Sequence, residues 1–135
     1  RLEKIKTIGD AYMAVAGLPF PNPDHACLAA EMALDMLAGI KEFNQKMGKS
    51  FNVRIGMNTG AVVAGVIGIR KFSYDLWGDT VNIASRMETT GVPGAIQVSP
   101  ATYELLKEQY QFVERGSISI KGKGDMIAYL LTSRK

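Results

Sequence analysis

Two residues in the stretch "DTVNIASRME" have the types and the spacing of a site that binds an anionic ligand. Asn82 and Arg86 are four residues apart, so a helix would place them one above the other on the same face. An amide beside a guanidinium suits an oxygen-rich ligand, because the planar fork of arginine donors matches phosphate oxygens. On this pattern alone, a solvated helix face is the commoner explanation.

A second candidate is Lys123 in the stretch "KGKG", where the flanking glycines allow a tight turn from which the ammonium can reach a neighbouring surface. A lysine on such a turn can bind phosphate, although solvated turn lysines are more common. The stretch is not a nucleotide-binding P-loop, because the G-x-x-x-x-G-K-[ST] spacing is absent.

Asp10 is a candidate metal ligand, and it follows Gly9 between two runs rich in apolar and β-branched residues. This pattern predicts a hairpin with a two-residue turn at Gly9 and Asp10. One aspartate can bind Mg²⁺ together with water and substrate oxygens. Two-metal phosphoryl chemistry usually needs a second carboxylate, so on its own Asp10 is more simply explained as a turn residue.

The composition is that of an ordinary globular domain, with 135 residues of which 47% are hydrophobic and 21% charged. No apolar stretch approaches the ~20 residues of a membrane span, and no signal peptide is visible. The single cysteine, Cys27, excludes an internal disulfide, and one histidine, His25, argues against a zinc site or a catalytic triad. We expect a cytoplasmic location. The scattered net charge of +3 suits a phosphate-bearing small ligand better than a nucleic acid.

The elements that must position the candidate residues alternate between strands and helices. Predicted strands and helices are a hairpin over 2–16, a helix over 24–48, strands within 51–60, 61–68 (or a tight loop) and 72–79, a helix over 80–90, a strand at 95–99, a helix over 100–110, and strands at 111–120 and 126–133. The order is approximately β-β-α-β-β-α-β-α-β-β. It predicts an α+β fold, with helices packed on a mixed, largely antiparallel sheet.

The two longer helices have predicted caps and faces. Asp24 is the expected N-cap of the first helix, and Asp79 or Thr80 that of the second. Apolar residues at three- and four-residue spacing predict a core-facing stripe on the first helix. Its members are Ala29, Met32, Ala33, Met36, Leu37, Ile40, Phe43 and Met47.

Taken together, several segments closely resemble the class III nucleotidyl cyclase catalytic domain, a family of adenylyl and guanylyl cyclases. They are "EKIKTIGDAYMAVAGLP", "VRIGMNTGAVVAGVIG", "FSYDLWGDTVNIASRMETTG", "IQVS" and "ISIKGKGDMIAYLL". The W-G-D-T-V-N-x-A-S-R-M block is the most specific part. The resemblance runs over essentially all of residues 1–135, and it implies one catalytic domain with the ferredoxin-like core of the family.

The resemblance implies a role for Asp10 as one of two aspartates that hold two divalent cations, Mg²⁺ or a substituting Mn²⁺, on a nucleoside triphosphate. The second aspartate lies in the family on an earlier strand, in a segment like F-A-D-I-x-G-F-T. This segment is absent from the sequence, which begins without an initiator Met. We therefore expect the chain to lack an N-terminal strand and about two helices of the domain, and regulatory domains to be present on the full-length protein.

The resemblance also implies how the purine is recognised. Lys6 matches the purine-reading lysine of adenylyl cyclases, where guanylyl cyclases have Glu, and Asp75 matches the second purine-reading position. Adenine has a donor at N6 and an acceptor at N1, which an acceptor Asp and a donor Lys complement. Guanine reverses this pattern and would leave mismatched groups buried.

The remaining roles carry over by position. Asn82 matches the residue that orients the ribose, and Arg86 matches the arginine that stabilises charge on the transferring phosphoryl group. Lys123 matches the triphosphate-binding lysine, with Lys121 the weaker candidate. In the family the active site forms between two subunits, one giving the metal aspartates and the other the remaining residues. Because this chain carries both kinds of residue, the resemblance implies a homodimer.

The implied activity is therefore that of an adenylate cyclase, a lyase that makes 3′,5′-cyclic AMP and pyrophosphate from ATP in intracellular signalling. The nearest alternative is a guanylyl cyclase, against which Lys6 and Asp75 argue. A second alternative is a non-catalytic cyclase-like module for dimerisation or nucleotide binding. Degenerate members of this kind usually lose the Asn or the Arg, and both Asn82 and Arg86 are intact.

Overall fold

The computed structural model describes residues 2–8, 11–17, 22–61, 63–67, 73–120 and 122–135, and only the backbone of 2–8, 63–67 and 73–77. Its elements are β1 (Leu2–Ile8), β2 (Ala11–Ala16), α1 (His25–Met47), β3 (Ile55–Met57), β4 (Val63–Ile67), β5 (Ser73–Trp77), α2 (Asp79–Thr89), β6 (Ile96–Val98), α3 (Pro100–Leu106), β7 (Tyr110–Ile120) and β8 (Gly124–Arg134). Within these ranges, three strands lie between α1 and α2, so "AVVAGVIG" contains a strand rather than the alternative tight loop, and the predicted order was one strand short. None of the described helices combines the length and the apolar character needed to cross a lipid bilayer.

The described strands form a four-stranded sheet in the order β3-β6-β8-β7 and two hairpins, β1-β2 and β4-β5. β3 and β6 are parallel, with Ile55 beside Ile96, and the other pairs are antiparallel. The predicted hairpin at the start of the chain is confirmed, since Ile8 pairs with Ala11 across residues 9–10. The predicted α+β fold with a largely antiparallel sheet is also confirmed.

The larger part of the core lies between α1 and the four-stranded sheet. Three alanines of α1, Ala26, Ala30 and Ala33, are buried in one cluster with Ile96 and Leu131 of the sheet. Alanine side chains are short, so the helix axis can lie close to the strands while the interior stays densely packed.

The predicted core-facing stripe of α1 is wrong in its C-terminal half. Ala33 is buried and Leu37 packs against the core, but Met36, Phe43 and Met47 are exposed by 37%, 43% and 59%. The face that meets the sheet is the one that carries the three buried alanines. Beyond Leu37 most of the helix lies outside the buried core, so the spacing of the apolar residues there does not predict which side chains are buried.

Both ends of α1 lie where the sequence predicts them. Asp24 occupies the N-cap position, and Gly48 ends the helix with a φ of 63°, a left-handed conformation that suits glycine. The Asp24 side chain makes no capping hydrogen bond, however. Instead the Asp24 backbone N–H donates to Asn22 Oδ1 at 2.8 Å.

A polar cluster on α1 connects the helix to the ends of β7 and β8. Arg134 Nε donates to both carboxylate oxygens of Glu31 at 2.8 and 3.0 Å, and Arg134 Nη2 donates to Asp35 Oδ1 at 3.2 Å. The Tyr110 hydroxyl donates to Glu31 Oε2 at 2.6 Å. Hydrogen bonds from Arg134 and then from Tyr110 hold the pKa of Glu31 below its usual value. Burial and the bond to Glu31 raise the pKa of Tyr110 well above its usual value.

Helix α2 packs on β3, and Gly56 is the residue that permits the contact. A Cβ atom on Gly56 would overlap the backbone nitrogen of Glu88 and would lie 2.6 Å from the carbonyl carbon of Met87. Only a residue without a Cβ allows the helix backbone to approach this closely. On the buried side of the helix, Met87 packs with Ile120 and Ala128.

The prediction that Asp79 or Thr80 is the N-cap of α2 is wrong. The N-cap is Gly78, which has a φ of 118°, and the helix begins at Asp79. A positive φ at Gly78 cannot be read from the sequence, although glycine is the residue that adopts it without strain. Asp79 lies instead in the first turn, where the helix dipole favours a carboxylate.

Candidate active site

Helix α2 presents Asn82 and Arg86 on one exposed face, as their four-residue spacing predicts. Arg86 Nε donates a hydrogen bond to the main-chain oxygen of Ser119 on β7 at 2.9 Å. Within the described part of the chain, the two terminal amino groups of Arg86 and the Asn82 side chain have no hydrogen-bond partner. The strand therefore holds the guanidinium at one nitrogen and leaves its other donors for a ligand.

Lys123 lies in the turn between β7 and β8, beside the first turn of α2. Its neighbours Gly122 and Gly124 have φ values of 80° and 79°, which glycine adopts without strain. The turn brings Lys123 Nζ to 2.5 Å from Asp79 Oδ2. Because both side chains are well exposed, at 44% and 67%, the ion pair is weak in water and a stronger anion can displace it.

Asn82, Arg86 and Lys123 therefore share one surface, which we call the α2 surface. Asp79, Asn82 and Arg86 follow one line along about 10 Å of the helix. Lys123 contacts the first of these residues, and Ser119 holds the last. The α2 surface offers an amide, a guanidinium and an ammonium to solvent, a set of groups that suits a polyanionic ligand rich in oxygen.

Two further predicted site residues lie on strands that contact each other. Lys6 is on β1 and Asp75 is on β5, and the backbones of these strands are in contact. β5 leads through Gly78 directly into α2, so Asp75 and the α2 surface belong to one continuous segment. The side chains of Lys6 and Asp75 lie outside what the structure describes, as do Asp10 and Lys121 altogether.

The described residues contain no group of three or more His, Cys, Asp or Glu side chains that could hold a metal ion. The predicted metal ligand, Asp10, lies in the sequence between the paired strands β1 and β2. Mg²⁺ in proteins is commonly bound by one or two carboxylates together with water and phosphate oxygens. Asp10 thus fits as one protein ligand of a site that substrate oxygens would help to complete.

The N-terminal end of α2 is held by hydrogen bonds with the loop that follows β3. Thr80 Oγ1 donates to Ala61 O at 2.5 Å, and Asn58 Nδ2 donates to Thr80 O at 3.0 Å. Asn58 Oδ1 in turn accepts a hydrogen bond from the hydroxyl of Ser99, which is also the N-cap of α3. The first turn of α2 is therefore fixed relative to both the sheet and α3.

The C-terminal end of α2 is held by Gln97 on β6 and Arg115 on β7. Gln97 is fully buried, and its Nε2 donates to Met87 O and to Thr90 Oγ1, both at 2.9 Å. Arg115 Nη1 donates to Gln97 Oε1 at 2.5 Å and also to the main-chain oxygen of Thr90. Sequence reasoning missed both residues, because neither "IQVS" nor "VERG" has the spacing of a binding motif.

A cleft of about 730 Å³ lies between β2 with the start of α1 on one side and β3 with its following loop on the other. It reaches α2 at Thr80 and Ala84, but Asn82, Arg86 and Lys123 do not line it. Among the residues that the structure describes, the side chains of the α2 surface are exposed. A ligand bound to it would stay exposed to solvent unless a second surface covered it.

Comparisons with known proteins show the family to which the chain belongs. The model of the adenylate and guanylate cyclase catalytic domain matches residues 1–133. An adenylate cyclase of Mycobacterium tuberculosis is 50% identical over 134 residues, which cover 99% of this chain and 30% of that protein. The soluble guanylate cyclase subunit beta-2 of Homo sapiens is 47% identical over 130 residues, covering 95% of this chain and 21% of that protein. The chain thus spans less than a third of the length of these curated relatives.

Among solved structures, the guanylate cyclase domain of RhGC from Catenaria anguillulae in complex with GTP superimposes with a TM-score of 0.92. The sequence identity is 46%, and the match covers 99% of this chain and 74% of that chain. Relatives named as adenylate and as guanylate cyclases are thus similarly close. The comparisons therefore identify a nucleotidyl cyclase catalytic domain, but they do not decide between an adenine and a guanine nucleotide as its substrate. The chain belongs to the class III adenylate and guanylate cyclase catalytic domain family.

Proposed function

We propose that this domain is an adenylate cyclase that converts ATP to 3′,5′-cyclic AMP and pyrophosphate. The observation that carries the proposal is the α2 surface, where Asn82, Arg86 and Lys123 lie together on one exposed face. A nucleoside triphosphate has the complementary groups, a ribose with hydroxyls joined to a chain of anionic phosphates. Family membership supplies the reaction class, and residues 1–135 belong to one catalytic domain.

In the reaction, the ribose 3′-oxygen attacks the α-phosphorus, and the bond from that phosphorus to the oxygen bridging the β-phosphate breaks. Pyrophosphate leaves with the electron pair of that bond, and the proton of the 3′-hydroxyl passes to water. Arg86 balances the negative charge that develops on the transferring phosphoryl group. Because Ser119 O already holds Arg86 Nε, the guanidinium is ordered before the substrate arrives. Asn82, one turn earlier, orients the ribose.

Lys123 binds the triphosphate. Without nucleotide its ammonium pairs with Asp79, an exposed contact that a multiply charged phosphate chain displaces readily. Asp10 would be the ligand that this chain gives to the divalent cations. When bound, two Mg²⁺ or Mn²⁺ ions lower the pKa of the 3′-hydroxyl and neutralise the phosphates.

Lys6 and Asp75 select adenine over guanine. The contact between β1 and β5 supports this assignment, because it places the two strands that carry these residues next to each other. The donor Lys and the acceptor Asp complement N1 and N6 of adenine, whereas guanine would meet two mismatched groups.

The working enzyme is a homodimer with two equivalent active sites. The exposure of Asn82, Arg86 and Lys123 supports this assembly, since water-excluded phosphoryl transfer on them would need a second surface to cover the nucleotide. The partner's hairpin, with its Asp10, would bring the metal ligand to the α2 surface of the first chain.

The base assignment is tested with a protein that extends this chain at its N-terminus to the length of the solved cyclase domains. Turnover of ATP and GTP is compared for the unmodified protein and for the double variant Lys6→Glu, Asp75→Cys. We expect the unmodified protein to prefer ATP and the double variant to shift towards GTP. Lys4→Glu makes the same charge change on the same strand and serves as the control. A preference of the unmodified protein for GTP would contradict the base assignment while leaving the cyclase activity intact.

The shared site is tested by mixing two inactive variants of the same protein. Arg86→Ala and Asp10→Ala should each lower kcat by about two orders of magnitude or more. In a mixed dimer, one site carries both changes and the other carries neither, so mixing should restore part of the activity. A mixture that stays as inactive as its components would show that each chain builds its own site.

A further inference from the structure

Gln97 faces α2 from a position directly beside Gly56. The two residues are partners in the parallel β3–β6 ladder, so they point to the same face of the sheet. At Gly56 the absent Cβ lets the backbone of α2 approach, and at Gln97 a buried amide forms hydrogen bonds to the same stretch of helix. The sheet thus allows the last two turns of α2 to approach closely at Gly56 and fixes their position through Gln97.

The hydrogen-bonding capacity of the Gln97 amide is used on both sides. Its Nε2 donates to Met87 O and Thr90 Oγ1, and its Oε1 accepts from Arg115 Nη1. The reversed amide would place its NH₂ group against the guanidinium and its oxygen against a carbonyl, so the network permits one orientation. An apolar side chain of similar volume would fill this site without directional bonds. The amide therefore specifies one position for the end of the helix.

The network continues from Gln97 to Arg86. Thr90 Oγ1, which accepts from Gln97, donates to the main-chain oxygen of Arg86 at 2.6 Å, and the Thr90 backbone N–H donates to the same oxygen at 3.0 Å. β7 contributes twice, since Arg115 bonds the end of the helix and Ser119 O accepts from Arg86 Nε. The side chain of Arg86 is thus bonded to β7 directly, and its backbone is connected to β7 through Thr90.

We infer that Gln97 and Arg115 are positioning residues that fix Arg86 for phosphoryl transfer. Neither side chain belongs to the α2 surface, so neither is expected to touch the nucleotide. They set the location of the last turn of α2 and through it the reach of the guanidinium towards the α-phosphate. The inference rests on the proposed function, because it names residues that act through Arg86 in that reaction.

The test compares kcat and KM for Gln97→Met, Arg115→Met and Arg54→Met in the extended protein. Arg54 Nε also pairs with α2, through Glu88 Oε2 at 3.0 Å on the surface, and is the matched control. We expect the first two variants to lower kcat by ~10-fold with KM within about 2-fold, because a small displacement of a catalytic group is costly. Arg54→Met should change kcat by less than ~2-fold. Arg115→Lys, which keeps the charge, should recover part of the loss.

The decisive measurement repeats Gln97→Met and Arg115→Met in an Arg86→Ala background. If both residues act through Arg86, each should lower kcat there by less than ~2-fold, since the coupled effects are not additive. An equal loss in both backgrounds, or a loss confined to KM, would overturn the inference. Arg115 is exposed, so Arg115→Met keeps the test valid if the buried Gln97→Met fails to fold.

Hydrogen exchange separates this inference from the proposed function. The backbone N–H groups of Thr90 and Gly91 bond to Arg86 O and Glu88 O, so they report on the last turn of α2 without any turnover. We expect faster exchange at these two amides in Gln97→Met and Arg115→Met, and no change in Arg54→Met. A protein that makes no cyclic nucleotide would contradict the proposed function. Unchanged exchange would overturn the inference, whatever the activity.

Discussion

Helices α1 and α2 are held in the fold by different means. α1 has 23 residues and meets the sheet mainly through three buried alanines, while much of its C-terminal half is exposed. α2 has 11 residues, and hydrogen bonds from neighbouring elements fix it at both ends. Between those ends its backbone lies directly against Gly56.

This difference matches the tasks of the two helices. Apolar contacts are non-directional, so a helix that covers a core can shift slightly without losing much of its packing energy. Hydrogen bonds depend steeply on distance and angle, and a helix fixed by them holds its side chains in one place. In this domain the helix that carries Asn82 and Arg86 receives hydrogen bonds on its own main-chain oxygens at both ends, whereas the bonds that α1 makes to other elements come from its side chains, such as Glu31 and Asn44.

The largest effect that follows from the comparison is expected for Gly56→Ala. The new Cβ would overlap backbone atoms of Glu88 and Met87, which cannot move aside as a flexible side chain can. We expect the free energy of unfolding, measured in urea, to fall by about 3 kcal/mol or more. A fall of less than about 1 kcal/mol would mean that α2 rests on the sheet more loosely than its hydrogen bonds imply.

A smaller effect of opposite sign is expected for Gly39→Ala on α1. Gly39 lies in the middle of the helix on its exposed side, and a Cβ atom added there would have no other atom within 4 Å. Alanine should therefore raise the free energy of unfolding by about 0.8–1 kcal/mol through helix propensity alone. The same urea experiment measures both glycine variants, and destabilisation by Gly39→Ala would show that this part of α1 contacts another surface.

The smallest effect is expected for the polar contact between α1 and the strand ends. Arg134 and Tyr110 lower the pKa of Glu31 in the folded state. Their bonds to Glu31 therefore stabilise the fold fully at pH values above the pKa that Glu31 has in the unfolded chain. That stabilisation is lost as the pH falls through the folded pKa, below about 4.5. The effect is small because the Arg134 and Glu31 side chains are 51% and 42% exposed.

Glu31→Gln should therefore flatten the decline in unfolding free energy between about pH 5 and pH 3. Glu42→Gln removes a carboxylate from the exposed end of the same helix and is the control. Parallel pH profiles for Glu31→Gln and the unmodified protein would show that this carboxylate has the same proton affinity in the folded and unfolded chain.

The sequence predicts those features of the fold that depend on neighbouring residues. The first hairpin, the extent of α1 and the helix that carries Asn82 and Arg86 all follow from local periodicity and turn residues. The N-cap of α2 was missed because it depends on the backbone conformation of Gly78. The exposed part of the α1 stripe was missed because apolar spacing shows which residues share a face, but not where the sheet ends.

For the site, the sequence predicts which residues bear the chemistry but not what holds them. The spacing of Asn82 and Arg86 requires a shared helix face, and the structure shows one. The contact of Lys123 with Asp79 and the bonds of Gln97 with α2 join distant parts of the chain. Such contacts leave no periodic pattern, so a buried glutamine in "IQVS" is indistinguishable from a solvated one until the strands are paired.

The parallel pairing of β3 with β6 also has a kinetic consequence. Each hairpin closes over a short loop, whereas β3 meets β6 only after the whole segment between Ile55 and Ile96 has been enclosed. Closing a long loop costs more chain entropy, and contacts of large sequence separation form slowly. Because Gly56 and Gln97 become neighbours only in this step, we expect α2 to be locked late in refolding. Nucleotide binding should then lag behind the return of secondary structure in a stopped-flow experiment, and simultaneous recovery would show that the long pairing forms early.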